Sequence, residues 1–111
     1  MSETEATYQL RYLPIFFDDL SEKVTYISEV LKNIEAANDL IDAVEKVILA
    51  RLPVAESFER YHTTKERPYP YYRIHVGNFN VYYVVIDDDK NNKIMEVRRF
   101  LYNKQNRIDY L

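Results

Sequence analysis

The chain has 111 residues, 47% hydrophobic and 30% charged, with a formal net charge of −3 and no cysteine. That length suits one domain around one core, and the hydrophobic share excludes disorder. The charge content, with no apolar run near the ~20 residues that span a bilayer, excludes a membrane protein, and the missing cysteines exclude disulfides, thiol catalysis and thiolate-bound zinc. Residues 1–55 hold 5 Lys and Arg against 10 Asp and Glu, whereas residues 56–111 hold 10 against 8. An acidic scaffold followed by a mildly basic working surface is the expectation.

Residues 1–6, acidic and polar, read as a flexible tail rather than a secretory signal, which suits a cytoplasmic protein. Thr7 to Leu13 alternates polar and apolar β-formers and predicts a strand ended by Pro14, a residue at home in the first turn of a helix. Phe17, Leu20, Val24, Ile27 and Leu31 then recur at helical spacing, an apolar stripe about five turns long, with Asp18, Asp19, Glu22, Lys23 and Glu29 on its other faces. Asn33 is placed to cap a second helix, whose stripe is Ala37, Leu40, Ile41, Val44, Val47, Ile48 and Leu52. Pro53 ends it, and the short junction makes the pair an antiparallel hairpin. Residues 53–68 have no clean period. They read as a long connection that Phe58 and Tyr61 could pin to the body, and they carry the polar cluster Arg60, His62, Lys65, Glu66 and Arg67.

Three strands follow: Tyr71–Val76, Phe79–Ile86 and Lys93–Leu101. Gly77-Asn78, holding the chain's one glycine, is a two-residue hairpin signal, and Asp87 to Asn92 makes a looser turn. Phe79–Ile86 is apolar on both parities from Val81 onward, which predicts a central strand covered on two faces. The expected architecture is therefore α+β, a single domain over 7–111 in the order β-α-α-β-β-β. The helical hairpin packs on one face of a small antiparallel sheet, leaving tyrosine, arginine and histidine side chains on an open face.

Four groups on these strands could carry chemistry. Arg73 shares its parity with Tyr71 and His75, whereas Tyr72, Ile74 and Val76 make the better core row. Arg73 is either a phosphate clamp or an exposed strand arginine paired with a carboxylate. Arg98 and Arg99 point to opposite faces, and alternation favours Arg98 as the outward one. Tyr102 could donate to a phosphate, stack on a base or act as an acid, or simply close a sheet edge. His75 could exchange a proton near neutral pH or be a plain surface residue. Two histidines on different elements make no metal motif, and Asp87-Asp88-Asp89 lacks the ligand spacing and glycine of a calcium loop, so no metal or cofactor is expected.

The order of these stretches resembles the RelE/ParE superfamily of toxins from bacterial type II toxin–antitoxin modules. The matching residues are Asn33-Ile34-Glu35-Ala36-Ala37 through Leu52-Pro53, Tyr72-Arg73-Ile74, Asn78 to Tyr83, Val97 to Tyr102, and a basic tail before Asp109-Tyr110-Leu111. Two activities are implied: metal-independent endoribonuclease action on ribosome-bound messenger RNA, by attack of a ribose 2′-hydroxyl on the adjacent phosphate, or ParE-like inhibition of DNA gyrase without nuclease chemistry. A third possibility is an inactive toxin fold that only binds its antitoxin. The resemblance makes Arg73, Arg99 and Tyr102 the catalytic set, with Arg98, His75, Lys104 and Arg107 as substrate-binding residues and a cognate antitoxin as partner. Asn80 stands where several nucleases of the family carry a third-strand arginine.

Overall fold

The computed structural model describes residues 7–61, 68–87 and 92–105. The tail over 1–6, the cluster from His62 to Arg67 and the end of the chain with Arg107 lie outside the described residues. Strand β1, Thr7–Tyr12, hands over to helix α1, Pro14–Thr25, with Pro14 at the first helical position, where no amide hydrogen bond is lost. The helix continues into a π-helical turn, Tyr26–Val30. Lys32 then turns the chain in the left-handed region at φ 55°. The amide of Asn33 reaches back to the Ile27 carbonyl at 3.0 Å and satisfies one of the orphan carbonyls at the end of this turn. The Asn33 side chain meanwhile accepts from the Ala36 amide at 3.0 Å and caps helix α2, Ile34–Arg51. One short junction thus closes one helix and opens the next. Pro53 lies in the 3-10 turn Leu52–Val54 that ends α2.

The remaining strands are β2 (Arg60–Tyr61), β3 (Tyr71–Val76), β4 (Phe79–Asp87) and β5 (Asn92–Tyr102). The sheet has the order β1-β5-β4-β3-β2. Two features depart from the expected four-stranded antiparallel sheet. The helix-to-sheet connection contributes the two-residue β2 beside β3, and β1 runs parallel to β5. A parallel pair needs a long crossover, and here the helical hairpin forms part of that connection. Gly77, at φ 57°, takes the first turn position between β3 and β4, and Asn78 keeps a negative φ. This is the pattern of a II′ hairpin turn, in which only the first central residue needs the left-handed region.

The core between helices and sheet contains Phe16, Val44, Ile48, Tyr72, Ile74, Val76, Val81, Tyr83, Met95, Val97 and Phe100. The expected central strand is confirmed: Val81, Tyr82, Tyr83 and Val84 on β4 are all 0% exposed. Leu20 packs against the core as the α1 stripe predicts, but the stripe begins one residue earlier than expected. Phe16 is buried and Phe17 is 51% exposed, while Asp19, assigned to a solvent face, is itself buried. Neither is the far face of the sheet open. Tyr71, Tyr82, Val84 and Leu101 form a second buried cluster there, with Tyr61, Tyr69 and Ile86 packed against it.

A bulge on β5 explains which side chains reach which face. Tyr82 pairs with Arg99 and Tyr83 with Val97, so Arg98 is an extra residue opposite β4. Before the bulge Glu96 pairs with Val84; after it Phe100 pairs with Val81 and joins the helix-facing core, and Leu101 joins the far cluster. Simple alternation would put Glu96 and Phe100 on one face. The inserted residue reverses the parity between them.

Candidate functional site

The far face of the sheet places two of the nominated arginines around one group of tyrosines. Tyr61 and Tyr71 are cross-strand partners, and Arg73 lies opposite Tyr82. The Arg73 guanidinium sits 4.6 Å from the Tyr61 ring centre, and Tyr61 meets Tyr82 edge-on at 5.5 Å. Arg73 also hydrogen bonds the Tyr82 side chain. Burial raises the Tyr82 phenol above its ordinary value, against which the bonds to Asn80 and Arg73 pull. A neutral hydroxyl is therefore held at Arg73 across the neutral range. Among the described residues Arg73 has no carboxylate partner. His75, two residues along β3, is exposed.

Arg98 projects from the bulge onto the same tyrosines, with its guanidinium 5.8 Å from the Tyr71 ring centre and 3.4 Å from the Tyr71 hydroxyl. Its charge is already matched, because its Nε donates to Glu96 Oε1 at 2.8 Å. Glu96 is 4% exposed and also accepts from Arg11 on β1 through Nε at 2.8 Å and through a second guanidinium nitrogen. Burial alone would push the Glu96 carboxyl up, yet the two guanidinium groups outweigh it and hold the carboxyl below the ordinary carboxylate range. Arg98 lies on the far face that alternation favoured, with Glu96, which shares its parity, as its partner.

Arg99 is engaged elsewhere. Strand β1 ends at Tyr12, so β5 beyond Val97 has no strand on that side. Asp19 of α1 fills the gap: its carboxylate accepts from Arg99 Nε at 2.7 Å, from Arg99 Nη2 at 3.0 Å and from the Phe100 amide at 3.0 Å. The aspartate thus caps an orphaned strand amide and fixes the guanidinium with two parallel bonds. Their side chains are only 11% and 18% exposed.

Tyr102 lies on the helix side of the sheet. Its ring meets Phe79 at 5.2 Å, and Phe79 stacks on Phe100 of the main core. It lines a cavity with residues of α1 and the π-helical turn. Of the proposed trio, Arg73 and Arg99 stand on either side of Tyr82, with the Arg99 guanidinium held by Asp19 of α1, while Tyr102 lies in the groove under the helix. Lys104 is exposed in the 3-10 turn Asn103–Gln105, and Arg107 lies outside the described residues. Asn80 is 2% exposed; its amide nitrogen lies 3.4 Å from the Tyr82 hydroxyl, and its Oδ1 has no hydrogen-bond partner among the described residues. A long cationic side chain in its place would have to displace packed residues.

Sequence reasoning set Tyr71 beside Arg73 but missed the roles of Asp19 and Glu96 as the partners of Arg99 and Arg98. Both left local traces: Asp19 stands three residues after Phe16 on the same helix face, and Glu96 two residues before Arg98 on the same strand parity. Among the described residues no three His, Asp or Glu side chains gather to hold a metal ion, and no helix is long and apolar enough to cross a membrane. No protein-family model matches the chain, and no curated protein matches it in sequence.

Proposed function

We propose that the chain is a RelE/ParE-like toxin of a type II module that acts by binding a protein target, DNA gyrase in the ParE-like manner, rather than by cleaving RNA. The observation that carries this reading is the engagement of Arg99 by Asp19 at 2.7 and 3.0 Å. Phosphoryl-transfer chemistry on RNA needs cations and a proton donor around one phosphate. Here one arginine of the set is neutralised by a buried carboxylate, and the tyrosine opens on the other side of the sheet. The helical hairpin on one face of the sheet and the three-stranded meander are what the RelE/ParE resemblance implies, and they support the family reading, although β2 and the parallel β1–β5 pair depart from the expected order. A cognate antitoxin is the partner that this reading requires.

One specific feature favours the nuclease reading as the alternative. Arg73, hydrogen-bonded to Tyr82 and with no carboxylate partner among the described residues, has its charge available for a phosphate. Two assays separate the readings. Induced expression should arrest growth while message stays intact, and purified protein should inhibit gyrase supercoiling. Message cleavage that disappears in an Arg73→Ala/Tyr102→Phe variant would reject the binding reading. Cleavage unchanged in that variant would reject the assignment of those two residues as well.

A further inference from the structure

A cavity of about 520 Å³ lies between the end of α1 and the β3–β4 hairpin. We propose that it binds a small aromatic monoanion, with the Lys23 ammonium taking the acidic group. The proposal does not depend on the toxin reading.

The walls come from local features already described. The π-helical turn Tyr26–Val30 widens the helix where α1 ends, and such turns recur at binding sites. It brings Tyr26 and Ile27 to the cavity, with Leu31 just beyond. Opposite them stand Phe79 and Tyr102, whose rings are tilted by 59° with centres 5.2 Å apart. A planar aromatic body would find ring faces and edges at the offset and tilted geometries that such rings prefer. The volume falls within the roughly 300–1,000 Å³ typical of small-molecule sites.

Lys23 makes the cavity selective. Its side chain is only 10% exposed, and it lines the apolar wall. Among the described residues its one ion-pair partner is Glu22, at 3.6 Å, beyond hydrogen-bond length, and the Glu22 side chain is 77% exposed. An ammonium has three donors, and beside apolar walls an anionic acceptor binds them more strongly than water does. A carboxylate or sulfonate entering the cavity supplies that acceptor. Glu22 and Asn78 also line the cavity, so the Lys23 ammonium selects a single negative charge at its own end, and the aromatic walls select a planar body.

The test uses the full chain and two fluorescent probes of the same shape, the anion 1-anilinonaphthalene-8-sulfonate and its uncharged analogue N-phenyl-1-naphthylamine. The anion should bind saturably and more tightly than the neutral probe. Lys23→Met should weaken the anion about tenfold, as loss of one charge-assisted contact does, with the neutral probe changed less than about twofold. Lys23→Arg should keep anion affinity within about threefold, and Ile27→Trp, which fills the cavity, should weaken both probes. Amide shifts caused by the anion should centre on residues 22–31, 78–79 and 102. Anion affinity unchanged in Lys23→Met, an equal loss of both probes in that variant, or shifts centred elsewhere would overturn the proposal.

Discussion

Asp19 shows how one side chain can decide a site. It reads as a solvent-facing charge on an amphipathic helix, yet its carboxylate holds Arg99 and the Phe100 amide together at the end of β5. Removing one member of a buried ion pair leaves the other charge dehydrated. Asp19→Ala should therefore lower stability by about 3–5 kcal/mol, read as a reduced denaturant midpoint. Asp19→Asn, which keeps an acceptor for Phe100, should cost clearly less. A double-mutant cycle with Arg99→Leu should show strong coupling between the two positions, and additive effects would mean that the pair is not a unit. The same contact bears on function, because an arginine that secures a helix to a strand is withdrawn from phosphate chemistry.

At the level of elements, register and turn chemistry set what each segment exposes. Because α1 turns Phe16 rather than Phe17 into the core, Phe16→Ala should cost about 3–5 kcal/mol, the range for a buried phenylalanine. Phe17→Ala, at a half-exposed position, should cost about 1 kcal/mol or less, and thermal unfolding of the two variants compares them directly. The turns give a pair of opposite expectations. Lys32 occupies the left-handed region with a side chain, so Lys32→Gly should stabilise by about 1 kcal/mol. Gly77→Ala should destabilise by about 1–2 kcal/mol, although an added Cβ meets nothing within 4 Å, because the cost lies in the backbone angle and not in a clash. Equal effects of the two turn substitutions would contradict the conformations described.

For the whole molecule, the far side of the sheet is a second packed layer tied by charge, and its response to acid follows. Glu96 joins Arg11 on β1 to Arg98 on β5, and its carboxyl is held below the ordinary value of 4.5. Between the folded and unfolded values the unfolded chain binds the proton that the folded chain refuses. The Glu96 contribution is thus fully present above about pH 4.5 and is lost as pH falls through its lower folded value. Glu56, lowered by its bonds to Lys93 and Tyr8 against the opposing effect of burial, adds in the same direction. The melting temperature should fall below about pH 4.5 in the native protein, and Glu96→Gln should flatten that limb. An unchanged slope in the variant would remove Glu96 as its source.

Much of this fold is legible in the sequence because the relevant physics is local. Helical and strand periods, the Asn33 cap, the proline boundaries and the Gly77 turn each act over a few residues, and they set the elements and their order. The apolar run in β4 likewise predicts its central place. The β1–β5 pairing, the bulge at Arg98 that reverses parity, and the burial of Asp19 depend on residues far apart in the chain, 80 positions for Asp19 and Arg99. The candidate site belongs to this second kind. The residue types Arg73, Arg98, Arg99 and Tyr102 can be read from the strands, but their distribution over two faces could not. Which face a side chain reaches depends on one inserted residue and on where β1 ends, and only the assembled sheet determines both.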